Sequence, residues 1–224
     1  MKYTHRISKR AKHLNIRVEP TLKVVVTSPP NIKKQKLDKF VQSKKTWIQA
    51  RKTKIKTLKN KVETEDHLMI FGHNYQKLKL FNAQYEPGIY LKNKQIIFNF
   101  PFINQKNNQK TIEQEKVNFL IKTARHYFQA KIDQLSTEMK VSYLQLKIRN
   151  QKTRWGSCSS KNNINLNWRL VHYPTEIIDY VLIHELAHLK HPNHSQKFWH
   201  YVAKFDRNYQ QHRHYLKEQA LTLF

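Results

Sequence analysis

The chain has 224 residues and carries 42 Lys and Arg against 15 Asp and Glu, a formal charge of +27. Three Gly and one Cys argue against a Gly-rich phosphate loop and a disulfide scaffold, and no apolar run approaches the ~18 residues a membrane helix needs. The length suits one large domain or two small ones with a real core, and the single Cys158 beside a basic start without a signal-peptide apolar segment gives the expectation of a reducing, cytoplasmic setting.

The charge is uneven. Residues 1–61 hold 19 Lys and Arg against only Glu19 and Asp38, a net +17 from about a quarter of the chain. Such a surface attracts polyanions, so salt-sensitive, nonspecific nucleic-acid affinity is expected. No aromatic-interleaved readout motif accompanies it.

Leu14, Ile16 and Val18 alternate with polar residues, and after a turn near Pro20 comes Lys23-Val24-Val25-Val26-Thr27, a hairpin-like pair of strands. Asn31 can cap a helix over 32–58, in which Leu37, Phe40, Val41, Trp47 and Ile48 form the apolar stripe. Residues 63–66 change the sign of the charge and read as a connection. From 68 to 102 the pattern is short strands, at 69–71, 76–81, 89–91 and 96–98, separated by Asn, Pro and Gly. Residues 104–109 form a polar linker, and a long helix follows over 111–139, with Ile112, Leu120, Ile121, Ala124, Tyr127, Phe128, Ile132 and Leu135 in helical spacing. Residues 143–149 and 163–171 read as alternating strands joined by the Trp155-Gly156-Ser157 loop. The expected class is α+β, with a basic, β-rich N-terminal region carrying one helix over 1–105 and a catalytic half over 106–224.

His184-Glu185-Leu186-Ala187-His188 carries the chemistry. Two His four residues apart share a helix face and can give one nitrogen each to a divalent metal, while the Glu185 carboxylate beside them is placed to take a proton from a metal-activated water. The apolar run over 177–183 and Leu186, Ala187 and Leu189 make this a buried helix. A buried carboxylate is costly without a partner, and a metal compensates. Downstream, His191, His194 and His200 compete for the third ligand position. Pro192 biases His191 toward extended backbone and ends the helix. His194 lies beyond that break with the spacing from His188 of the metzincin signature, although His191 stands where that signature has Gly. The expected ligands are His184, His188 and His194, with His191 facing solvent or supporting a ligand.

Arg154-Trp155-Gly156-Ser157-Cys158-Ser159, Asn163-Ile164-Asn165-Leu166-Asn167-Trp168-Arg169-Leu170, residues 180–189, and Asn193-His194-Ser195 with Phe198-Trp199 together resemble the YgjP-like metallopeptidase family. The resemblance reaches the N-terminus through Ser8-Lys9-Arg10-Ala11-Lys12 and Ser28-Pro29-Pro30. It implies a zincin-like catalytic half, with a metal-binding helix backed by the long helix and a small mixed sheet, one Zn2+ per chain on the same three His, and Glu185 as general base. In that architecture the strand bordering the cleft can pair with an extended substrate. Residues 163–169 are the candidate, with Asn165, Asn167 and Arg169 on one face. Arg154 and Arg169 could hold a phosphate or carboxylate bidentately, unless they pack over Trp155 or Trp168. Tyr173, His172, His200 and Arg169 remain open as oxyanion donors.

The expected function is therefore zinc-dependent hydrolysis of a peptide bond. A bacterial relative is described as a nucleoside triphosphate pyrophosphatase acting on UTP, which makes that activity on the same metal site the alternative. A nucleic-acid-associated metalloprotein is the third reading, disfavoured because Glu185 would have no task. Polypeptide or nucleotide substrates and no membrane are the expected partners.

Overall fold

The alternating apolar residues near the N-terminus pair as their spacing predicts. The computed structural model describes residues 1–80, 82–100, 109–151 and 153–223. Strands β1 (Thr4–Ile7), β2 (Asn15–Val18) and β3 (Val24–Ser28) form a sheet of order β1-β3-β2. The β2–β3 pair is antiparallel, with Ile16 opposite Val26, and β1 runs parallel to β3. One helix was expected here, but there are two, α1 (Lys34–Ser43) and α2 (Lys45–Val62). Lys44, at φ −102° and ψ 11°, leaves helical geometry between them. Nor does Asn31 cap the first: it sits at φ 63°, and Lys33 holds the N-cap position with no side-chain bond. The apolar stripe still works as read, since Leu37, Val41 and Ile48 close over Val24 and Val26.

Residues Met1–Lys61 with Gln219–Phe224 make one compact unit and Val62–Glu218 a second. The boundary placed near residue 105 therefore falls inside the second unit, and residues 104–108 of the expected linker lie outside the described residues. The Asn, Pro and Gly punctuation before it marks turns within a sheet. Strands β4 (His67–Ile70), β5 (His73–Leu80), β6 (Gly88–Lys92) and β7 (Gln95–Asn99) pair in the order β4-β5-β7-β6.

This sheet is tied to the elements that carry the motif. The long helix α3 (Gln109–Glu138) buries Leu120, Ala124, Phe128, Ile132 and Leu135 along one stripe, and its Tyr127 ring packs on Phe71 with centroids 4.6 Å apart. Lys116 of α3 and Lys77 of β5 both donate to Glu63, at 2.7 and 2.5 Å. Strands β8 (Gln145–Arg149), β9 (Gly156–Cys158) and β10 (Asn163–Asn167) form a small mixed sheet of order β8-β10-β9, parallel across β8–β10 and antiparallel across β10–β9. Residues Trp168–His172 then form a 3₁₀ turn where a continuing strand was expected. Helices α4 (Thr175–Ala187), α5 (Gln196–Phe205) and α6 (Tyr209–Leu223) follow. Helix α3 lies against α4, and Lys131 pairs with Asp179 across them at 3.2 Å. The class is α+β, with a long helix and a small mixed sheet beside α4.

His172 joins the two sheets' neighbourhoods. Its Nδ1 donates to the Met69 carbonyl at 2.7 Å, which fixes the tautomer because a carbonyl only accepts. Burial pushes its pKa down to about 4. The folded chain thus binds fewer protons than the unfolded one between pH 6.5 and 4, so this group's share of stability is complete above 6.5 and is lost as pH falls through 4. That share is about 3 kcal/mol for an imidazole moved this far. His172→Gln, whose amide can still donate to Met69, should flatten the acid limb of a plot of urea midpoint against pH. An unchanged limb would remove His172 as its source.

Candidate metal centre

Helix α4 is apolar on almost every face, with Ile177, Ile178, Val181, Leu182, Ile183, Leu186 and Ala187 buried, so its polar residues stand out. His184 lies in its last turn and His188 is its C-cap. The Leu189, Lys190 and His191 N–H groups fold back onto Leu186 and Ala187 carbonyls, and Pro192, having no N–H, cannot extend the helix. The chain then turns and brings His194 back just ahead of α5.

There the His194 Nε2 lies 3.0 Å from the His184 Nε2. His184, His188 and His194 each offer a nitrogen within 4.8 Å of the others. His188 Nδ1 donates to the His191 carbonyl at 3.3 Å, leaving Nε2 for the cluster. His191 thus supports a ligand through its backbone, while its ring packs on Tyr201. Burial and the neighbouring His188 and His194 push the His184 pKa down to about 3, which keeps it neutral with a free lone pair. Two imidazole nitrogens on a tetrahedral zinc, each ~2.0–2.1 Å from it, stand ~3.3 Å apart. The residues therefore fit a small divalent cation in donor type and spacing.

Aromatic side chains hold these rings. The fully buried Phe198 packs on all three, with centroids 5.0, 4.7 and 4.8 Å from His184, His188 and His194. Trp199 stacks on His194 at 5.5 Å and 20°, Tyr209 stacks on Trp199, and the Arg213 guanidinium lies 4.7 Å over the indole. Phe198 and Trp199 entered the sequence reading only through the family resemblance, and nothing in the sequence pointed to the layer added by α6.

Glu185 is only 6% exposed. Burial pushes its pKa up to about 8, against the opposing pull of the Cys158 backbone N–H that it accepts from and of the Arg154 charge. What lets a carboxylate sit here is Gly156: a Cβ on that residue would lie 2.5 Å from Glu185 Oε1. The sequence offered one hint of this, because the chain has only three Gly. Gly156→Ala should push the carboxylate aside and lower turnover about 100-fold, as misplacements near 1 Å do, with metal content unchanged. Single-turnover kinetics with metal analysis checks it, and full activity would show that the carboxylate tolerates displacement.

A cleft of about 730 Å³ opens at this point, lined by the three His, Glu185, Arg154 and the β9 backbone among others. Of the expected substrate contacts, Arg154 lines it. Asn165, Asn167 and Arg169 do not. Asn165 and Asn167 lie on β10, which is central in its sheet and paired on both sides, so it has no edge to offer a substrate, and Arg169 lies in the 3₁₀ turn that follows. Asn165 binds Ser157 and Arg149. Asn167 donates to the Gln151 and Arg154 carbonyls and accepts from the Arg169 N–H, shaping the loop. Arg169 lies 4.5 Å over Trp168 and donates to Asn150. The open oxyanion candidates are placed elsewhere too: Tyr173 packs between Trp155 and Tyr215, His172 binds Met69, and His200 donates to its own helix at Gln196.

Three imidazoles and a buried carboxylate in an open cleft, on an α+β framework, define a metal-dependent hydrolase. The chain belongs to the YgjP-like metallopeptidase family, whose model, described as "YgjP-like, metallopeptidase domain", matches residues 12–219. Membership implies a divalent metal, for which the His cluster is suited. Two solved structures are similar. One is the metallopeptidase zymogen abylysin of Pyrococcus abyssi, 24% identical over 40% of this chain and 90% of that one, with a TM-score of 0.37. The other is the metallopeptidase zymogen jannalysin of Methanocaldococcus jannaschii, 19% identical over 41% and 95%, with a TM-score of 0.38. No curated protein matches the chain. Among the described residues no helix is long and apolar enough to cross a membrane.

Proposed function

We propose that the chain is a zinc peptidase that holds an extended polypeptide against the edge of β9 and uses Glu185 as general base. The observation that carries this is the presence of Glu185, the three imidazoles and a sheet edge in one cleft. Asn167 donates to the Trp155 carbonyl and Ser159 to the Asn163 carbonyl, so residues 155 and 159 face β10. By the two-residue alternation of a strand, Gly156 and Cys158 turn their backbone groups the other way. Glu185 already takes the Cys158 N–H, so the Gly156 groups and the Cys158 carbonyl are the ones left to pair with a substrate strand.

When bound, a divalent cation on His184, His188 and His194 polarises the scissile carbonyl and makes water more acidic, and an all-imidazole donor set suits zinc. Glu185 takes the water proton on its carboxylate and passes it to the leaving amine. The Cys158 N–H holds the carboxylate in place between these transfers. Arg154 is exposed and lines the cleft, and its guanidinium suits a substrate carboxylate or backbone carbonyl.

That same guanidinium favours the second reading, a nucleoside triphosphate pyrophosphatase, because it suits a phosphate equally well. Assaying zinc-loaded protein on unfolded polypeptide and on a panel of nucleoside triphosphates separates the two. Peptide cleavage without pyrophosphate release is expected. Pyrophosphate release from UTP with intact polypeptide would overturn the peptidase reading, and inactivity on both with tight DNA binding would favour a nucleic-acid-associated metalloprotein.

A further inference from the structure

Behind Trp199, on the side of α5 and α6, lies a second groove of about 580 Å³. Its wall carries Trp199, His200, Tyr209, Arg213, His214 and Lys217, and among the described residues lining it none is acidic. Cationic groups gathered in a concavity repel one another, and low-dielectric walls focus their field outward. Arg213 is held in the Trp199 stack, while Lys217, the second cation, and the His214 imidazole, an N–H donor, are exposed. The groove is thus built to receive negative charge. The indole has little surface left for a nucleobase, since the His194 ring, the Tyr209 ring and the Arg213 guanidinium already pack on it. What remains are N–H donors, which suit oxyanions rather than bases.

Trp199 also joins this groove to the metal centre, because the ring that lines it stacks on His194. A chain running out of the cleft past His194 would meet these cations a few residues from the scissile bond. We propose that the α5–α6 groove binds acidic side chains of the polypeptide substrate, giving the enzyme a preference for segments rich in Asp and Glu beside the cleaved bond. The substrate assignment rests on the peptidase reading above.

The test is a binding measurement on the full chain, zinc-loaded and carrying Glu185→Gln, so that it does not depend on cleavage. A peptide with four Glu and its Gln counterpart are titrated at 0.15 M salt, where charges more than ~8 Å apart are largely screened. The Glu peptide should bind at least tenfold more tightly. His214→Gln with Lys217→Gln, which leaves the Arg213–Trp199 contact alone, should remove most of that ratio with zinc content unchanged. Lys56→Gln with Lys59→Gln, the removal of two exposed charges from α2, should preserve it. Equal binding of the two peptides, or an equal loss in both double variants, would overturn the proposal and leave only diffuse attraction to a +27 chain. A Glu-dependent, His214- and Lys217-dependent affinity in a protein whose unmutated form cuts no polypeptide would retain the anion-binding groove and reject the peptidase reading. Displacement of the Glu peptide by a nucleoside triphosphate, with the unphosphorylated nucleoside inert and inorganic triphosphate weaker than the nucleotide, would reject the acidic-peptide assignment, because base recognition would then be part of the site.

Discussion

Glu185→Gln lowers the hydrolytic rate by a factor of about 10² to 10⁴, the usual loss when a positioned base is removed, while one metal per chain stays bound. The reasoning is positional. Glu185 is the only carboxylate among the described residues lining the cleft, so none of these neighbours can take over the proton. The amide keeps the shape of the side chain, and its oxygen can still accept from the Cys158 N–H that holds the carboxylate. None of the three nitrogens that gather at the centre belongs to Glu185. The loss should therefore appear in kcat with KM little changed, as for an interaction made chiefly in the transition state. Metal analysis on the same sample separates this from simple loss of the ion. Because a neutral amide costs less to bury than a carboxylate, the metal-free variant should also melt no lower than the metal-free parent. A variant that kept its full rate would remove Glu185 from the mechanism.

The parts of this site that can be read from sequence are those built by local rules. The spacing of His184, Glu185 and His188 on an apolar helix places them on α4 without any knowledge of the fold. Pro192 tells where that helix stops and why His194, rather than His191, is free to return. The cleft's edge is different, because it depends on which strand pairs with which. Residues 163–167 alternate well enough to read as a strand, yet nothing local says that β8 joins them in parallel on one side and β9 on the other. A parallel partner is a nonlocal choice, and it moved the edge from β10 to the three residues of β9. Strand β1 was missed for another reason: all four of its residues are exposed, so it lacks the apolar alternation that marks a strand. Gly156 shows the limit most clearly. Its use lies in the space it leaves for a side chain 29 positions away, and no periodicity encodes that.

The two His near Pro192 can be told apart by what each would lose. His194→Ala takes away a nitrogen that faces His184 Nε2 at 3.0 Å and leaves Trp199 without the ring it stacks on. Zinc affinity should fall by more than 100-fold, since losing a supporting partner of a ligand already costs 10- to 100-fold. His191→Ala keeps the carbonyl that accepts from His188 Nδ1, because that group is backbone, and gives up only the ring contact with Tyr201. Its affinity should stay within tenfold of the parent. Competition with a chromophoric chelator reads both values without any substrate. Stoichiometric tight zinc in His194→Ala, with loss in His191→Ala, would exchange their roles and require the chain to bend back before Pro192. The His191 N–H to Ala187 carbonyl bond opposes that bend, since it holds the residue against the end of α4 with its ring turned to Tyr201. The helix end that turns His188 toward the His cluster is therefore the same feature that keeps the His191 ring out of it.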